Sequence, residues 1–205
     1  MTDEEAEAER RWHERKSALM EEMLGKEHNR VMHAIVSYAI GGGLDLYYYP
    51  NGIQGTAIAT KELSERAGEG SSNRVFRCYE LVMFTKQPLD LAAAKDASTP
   101  FGRAHMSINA ILNRIARYSA RAKLNPKETC EFPAEMARVG GKCLIFDGYP
   151  SCAEGKLAEF GLLAVIEVFR SEMEHARKHG GAMLLKRLQE QGHYPYSDLD
   201  RGPVA

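Results

Sequence analysis

The chain is poor in the features that mark several classes of protein. Its 205 residues include only 18 glycines and 8 prolines, together about 13%, against the roughly 25–30% of low-complexity chains. A globular fold is therefore expected. Charge of one sign is also missing, since 27 lysines and arginines face 28 aspartates and glutamates for a formal net charge of -1. General nucleic-acid binders carry a strongly basic domain, with pI above about 9. Nucleic acid is accordingly not expected as a partner, and any charged recognition must be local. Long apolar runs are absent too. Residues 31–44 carry no formal charge, but they include His33, Ser37 and three glycines, and they fall short of the roughly 18 apolar residues of a membrane span. No membrane association is expected, and the acidic residues 1–9 lack the apolar core of a secretory signal. Cysteine is scarce: Cys78, Cys130, Cys143 and Cys152 show no C-x-x-C spacing. In a chain large enough to build its own core they read as reduced thiols of a cytoplasmic protein, and a zinc site built from them is not expected.

Catalytic signatures are missing as well. G-x-S-x-G, the two glycine-rich phosphate loops and H-E-x-x-H do not occur, which removes the patterns that place a nucleophile, a phosphate cradle or a zinc-bound base. Gly68, Gly70 and Ser71 look superficially like a phosphate loop and read as an ordinary surface loop. His175 and His179 are four residues apart and could offer two imidazoles to one ion from a helix face. Arg177 and Lys178 crowd that face with positive charge and no third ligand is at hand, so no metal and no cofactor are expected.

What is present sorts into alternating helices and strands. Residues 2–26 hold no proline and no glycine before Gly25, with Trp12, Leu19 and Met23 spaced to share a helix face. Residues 1–27 carry nine acidic and five basic side chains, which predicts a solvated acidic helix with frayed first turns, peripheral to the fold. Residues 31–40 are apolar and end in three glycines. Residues 44–50 and 55–60, around Asn51-Gly52, predict a hairpin with a wide connection, and residues 75–85 predict a third strand. Ile108, Ile111, Leu112, Ile115 and Ser119 predict a helix over 104–123, stopped at Asn125-Pro126. Its Arg114, Arg117 and Arg121 read as a solvated face that could also meet an acidic partner. Residues 142–147 and 160–168 predict two further strands. Met173, Ala176, Leu184 and Leu188 predict one helix over 171–191 ending at Gly192. The order implies an α/β or α+β fold, a mixed β-sheet flanked by helices, with its strand order left open.

The run Tyr47-Tyr48-Tyr49 gives an aromatic to each side of a strand. Core packing is the ordinary role for such residues, but tyrosine is also enriched at protein interfaces. Tyr47, Tyr49 and Tyr149, with Asp147 to receive a basic side chain, are the candidate binding residues, at a sheet edge open to strand addition.

The order of short motifs resembles a known family. Leu46-Tyr47-Tyr48-Tyr49, then Thr60-x-x-x-Ser64, then Tyr79-Glu80-Leu81 are similar to the suppressor of fused-like domain of bacterial type. Ser171-Glu172-Met173 and the ending Asp198-x-x-Arg201 resemble its closing pattern. The likeness runs over residues 44–201, and the acidic amino-terminal helix has no counterpart in the family's motifs. It implies two parts, an acidic helix over 1–27 and a suppressor of fused-like α/β domain over 28–205. It also implies a domain without a known active site that binds a protein partner. Eukaryotic relatives restrain transcription factors; bacterial ones are regarded as immunity or adaptor proteins with toxin partners. The expectation is thus a non-enzymatic, cytoplasmic protein-binding domain of immunity or adaptor kind. The alternative is a small hydrolase or metal-dependent enzyme using dispersed Asp, His and Cys residues.

Overall fold

The structure, a computed structural model, describes residues 2–150 and 157–205; the expectation for Cys152 lies outside the described residues. Helix α1 spans Asp3–Leu24. Its first turn is capped rather than frayed: the Thr2 hydroxyl accepts from Glu5 N–H, and the Glu5 carboxylate accepts from Thr2 N–H. Asp3, Glu4 and Glu5 lie at the positive end of the helix dipole. Its buried stripe is Trp12, Lys16, Met20 and Leu24, a strict four-residue repeat, with Leu19 and Met23 only half-buried at its margin. Lys16 hid this stripe from the sequence, because lysine is almost never buried unless its ammonium is paired.

Strands β1 (Tyr47–Tyr49) and β2 (Thr56–Ala59) form the expected antiparallel hairpin, with Tyr47 opposite Ala59 and Tyr49 opposite Ala57. The wide connection ends at Gly55, whose φ of +101° and position 2.1 Å from the Thr85 carbonyl, measured from where a Cβ would sit, admit only glycine. Strand β3 is Phe76–Thr85. Helix α2, Pro100–Ser119, starts a turn earlier than the apolar repeat indicates, because Thr99 caps Gly102 N–H and Pro100 sits in the first turn. Strands β4 (Thr129–Glu131), β5 (Cys143–Tyr149) and β6 (Ala158–Val168) follow. The three-residue β4 is too short and polar to register as a strand in the sequence. The last predicted helix is two, α3 (Arg170–His179) and α4 (Gly181–Glu190). They break at Gly180, at φ +92°. A Cβ on Gly181 would meet the Lys127 carbonyl at 2.0 Å, so only glycine allows the start of α4 to approach that carbonyl.

The sheet is mixed, in the order β1-β2-β3-β6-β5-β4, with β3 and β6 parallel and every other pair antiparallel. Alternation along β3 sends Tyr79, Leu81 and Met83 to one face, where Ile108, Ile111, Leu112 and Ile115 of α2 cover them. Val82 and Phe84 face the other way, into a layer closed by Met20 and Leu24 of α1, Met173 of α3, and Leu184 and Leu188 of α4. The result is a helix–sheet–helix sandwich with a core on each side of the sheet.

Candidate functional site

The residues that carry the family resemblance form buried architecture. Glu80 is fully buried on β3. Its carboxylate accepts from the Thr60 hydroxyl at 2.6 Å, the Ser64 N–H at 2.9 Å and hydroxyl at 2.7 Å, and the Leu63 N–H at 3.1 Å. Lys16 of α1 adds its ammonium at 3.2 Å, while donating also to the Lys61 and Ser64 carbonyls. The Thr-x-x-x-Ser spacing is thus the spacing that wraps a short loop around one carboxylate. At the other end of the chain Glu172, also fully buried, takes a bidentate pair from Arg201 at 2.6 and 3.0 Å and the N–H groups of Phe169 and Val204. Asp198 accepts from the Thr85 hydroxyl and the Lys86 N–H, so Asp198 and Arg201 together pin the carboxyl-terminal segment.

The four candidate binding residues share one face of the sheet but do not converge. Tyr47 and Tyr49 lie on the edge strand β1, and Asp147 and Tyr149 on β5, with β2, β3 and β6 between them; four strand spacings amount to about 19 Å. Tyr49 is fully buried and donates to Glu27 at 2.7 Å, so it is a core residue and cannot touch a partner in this fold. Tyr47 is half-buried beneath the Lys61 ammonium, 4.7 Å from the ring centre. Burial and the charges of Asp45 and Glu62 push its hydroxyl up to about 12. Tyr149 packs on Phe84 with ring centres 4.7 Å apart. Asp147 accepts from the Tyr194 hydroxyl, and burial raises its carboxyl above the ordinary range. The outer edge of β1 is not open for strand addition either. His28 donates to the Tyr48 carbonyl at 2.8 Å, and Met32 and Leu46 exchange both of their main-chain bonds, so the chain itself occupies that edge.

The enzyme alternative needs acidic, imidazole or thiol groups to converge. Among the described residues no group of three His, Cys, Asp or Glu side chains could hold a metal ion. His175 and His179 lie ring against ring, with centres 4.4 Å apart. Cys78, Cys130 and Cys143 are free, and burial raises all three thiols, away from the thiolate form a nucleophile uses. One cluster does form, with His33 2.6 Å from Asp45 and Glu62 beside it. Asp45 accepts from Ala34 N–H at 2.9 Å and Glu62 accepts from Asp45 N–H at 2.8 Å. These carboxylates hold a loop, and among the described residues no hydroxyl or thiol hydrogen-bonds to them.

The exposed apolar residues gather elsewhere. Ile35, Val36 and Ile40 are 105%, 49% and 79% exposed in a segment that includes a 3-10 turn at Tyr38–Ile40. That segment is fixed to α2. The Tyr38 hydroxyl donates to the Ala116 carbonyl, Arg117 donates to the carbonyls of Gly41 and Gly42 at 2.7 and 2.8 Å, and the Asn113 side chain accepts from Leu44 N–H. The sequence signal was the apolar run closing in three glycines, which has no helical or strand period to say which residues face out.

No family model matches the chain, and no curated protein does. Solved structures do. A chain of the Sufu–Fu complex crystal structure superposes with a TM-score of 0.61 at 17% identity, covering 96% of this chain and 92% of that one. The crystal structure of Drosophila Suppressor of Fused aligns at 19% identity with a TM-score of 0.48 over 76% of this chain, which spans 41% of that protein's chain. The first of these likenesses shows that the chain has a Suppressor of Fused-like fold.

Proposed function

We propose that the chain is a non-enzymatic protein-binding domain. The observation that carries this reading is the apolar knuckle of Ile35, Val36 and Ile40, held to α2 by hydrogen bonds and left in solvent. Scattered surface apolar residues need no explanation, but three exposed within one segment held to α2 support the reading of an interaction site. The structural neighbour comes from the crystal structure of a Sufu–Fu complex, which supports the same reading. The motif resemblance adds the finer form of the proposal: a cytoplasmic adaptor or immunity protein of the bacterial type, with a toxin as its partner. Tyr149 and Asp147, still partly exposed on the sheet face opposite α2, belong to this proposal as a separate, secondary contact.

The test is capture from native lysate, identification of the captured protein, and its reconstitution with the purified chain. The double variant Ile35→Asp/Ile40→Asp alters exposed residues and should keep the thermal midpoint. It should weaken the reconstituted complex by about 2 kcal/mol or more, the scale of an anchor truncation. A complex that forms equally well with this variant ends the reading of the knuckle as the binding site.

A further inference from the structure

We propose that the groove between α2 and residues 133–142 docks an acidic, partly apolar peptide segment of the partner; this rests on the protein-binding reading above and names the chemistry that would be recognised. The groove has a volume of about 600 Å³. Met106, Ala110, Arg114 and Arg117 line one wall, spaced to run along a single face of α2. That face is the one turned away from Ile108, Ile111 and Ile115, which pack on the sheet. Arg138 and Lys142 line the other wall.

Charge chooses the occupant. No aspartate or glutamate lines the groove. Lys142 is neutralised by Glu167, but the arginines are not: Arg117 is spent on the neutral carbonyls of Gly41 and Gly42, and the side chains of Arg114 and Arg138 have no ion pair or hydrogen bond among the described residues. Three exposed guanidiniums without a carboxylate, in a chain of net charge -1, form a local positive site rather than a general basic field. Guanidinium groups bind carboxylates in bidentate pairs. Met106, at 44% exposure, and Ala110 give an apolar side chain a place between the charges. From Met106 to Arg117 the helix rises about 17 Å, which an extended segment of about five residues spans.

A nucleic acid fits less well, because no aromatic ring lines the groove to stack on a base. The groove is also continuous with the knuckle. Arg117 and Asn113 line it and hold residues 41–44, so one partner segment can run from the apolar knuckle into the basic groove.

The experiment is fluorescence anisotropy on the full chain with a labelled Glu-Leu-Glu-Glu-Leu-Glu peptide, its Gln-for-Glu counterpart, and an oligothymidine of equal length. The acidic peptide should bind, weaken as salt rises, and lose at least tenfold in affinity with Arg114→Ala/Arg138→Ala, whose thermal midpoint should match the wild type. The glutamine peptide should bind at least tenfold more weakly. Equal binding of the two peptides, tighter binding of oligothymidine, no binding of the acidic peptide, or undiminished binding by the double variant would each overturn the proposal. So would self-association of the chain through its own acidic first turn, seen as a dimer in sedimentation that the arginine variant abolishes. The two readings fail separately: a reconstituted partner lost by the Ile35→Asp/Ile40→Asp variant but kept by the arginine variant leaves the protein-binding reading standing and removes the groove.

Discussion

Glu80 and Glu172 are both fully buried on the same side of the sheet, yet each is compensated differently. Glu80 sits in a loop that supplies neutral donors from Thr60, Leu63 and Ser64 before Lys16 arrives from α1. Glu172 has only two main-chain N–H donors of its own, and the bidentate Arg201 does the rest. Each clamps one end of the chain, α1 in the first case and the carboxyl-terminal segment in the second. Burying a carboxylate is costly unless it is paired and hydrogen-bonded. The more the local loop supplies, the less depends on the distant cation. The opposite side of the sheet differs: there α2 carries arginines that no carboxylate meets among the described residues. On one face the buried ions are spent on the fold; on the other, Arg114 and Arg138 stand exposed without a carboxylate among the described residues.

The largest expected effect follows from Arg201. Arg201→Met leaves Glu172 buried with two N–H donors, and breaking one side of a buried pair costs about 3–5 kcal/mol. Burial raises the Glu172 carboxyl, but the Arg201 hydrogen bonds and those of Val204 and Phe169 outweigh it and hold it below the ordinary range. The ionised form is therefore the one folding favours. Its contribution is present above the unfolded value of 4.5 and is lost as pH falls through the lower folded value. Urea unfolding at pH 7 should show the loss in full, and the gap between wild type and variant should narrow in acid. Equal gaps at pH 7 and pH 3 would show that Arg201 acts by packing on the Phe169 ring instead of by charge.

Lys16→Met sharpens the contrast, with a smaller expected loss of about 1–3 kcal/mol, because Glu80 keeps its neutral donors. The Lys61 carbonyl loses its ammonium donor, while the Ser64 carbonyl keeps the Trp12 indole at 2.7 Å. Urea midpoints of the two variants, measured side by side, decide it. A Lys16→Met loss as large as that of Arg201→Met would mean that the loop around Glu80 cannot stand without the cation.

Much of this architecture was legible in the sequence, and the reasons for the rest are physical. The two-residue alternation of β3 and the three-and-four repeat of α2 announce a sheet with helices against it. Strand order was hidden, because alternation says which face a residue takes and nothing about its neighbour. The Thr60, Ser64, Glu80, Glu172 and Arg201 motifs pointed to the family's fold, since burying a carboxylate demands particular donors at particular spacings. Tyr49 is buried, and the sequence does not announce it, because an aromatic in a strand reads the same whether its face is covered or open. The exposed knuckle is set by how residues 38–44 dock on α2, and the basic groove by how Ala137, Arg138 and Lys142 lie against that helix. Arg114 and Arg117 were visible as a possible meeting point for an acidic partner, but Arg138 joins them only through the tertiary fold.

The smallest effect concerns a third carboxylate, one that has no cation. Glu62 is half-buried and accepts from Asp45 N–H at 2.8 Å. Burial raises its carboxyl to about 7; the Asp45 N–H opposes this, and the charges of Asp45, Glu80 and Glu65 add to it. Folding here favours the neutral acid, the reverse of Glu172. Its contribution is full below the unfolded value of 4.5 and disappears as pH rises through about 7. Glu62→Gln keeps an acceptor for Asp45 N–H and cannot ionise. It should match the wild type near pH 4.5 and melt higher at pH 8, by no more than about 2–4 °C, because half-exposure lets solvent screen the charge. Thermal midpoints across pH 4.5–8 give the answer. A constant difference over that range would mean that Glu62 does not titrate within it, and that a carboxylate on this fold can stay ionised with one main-chain donor and no cation.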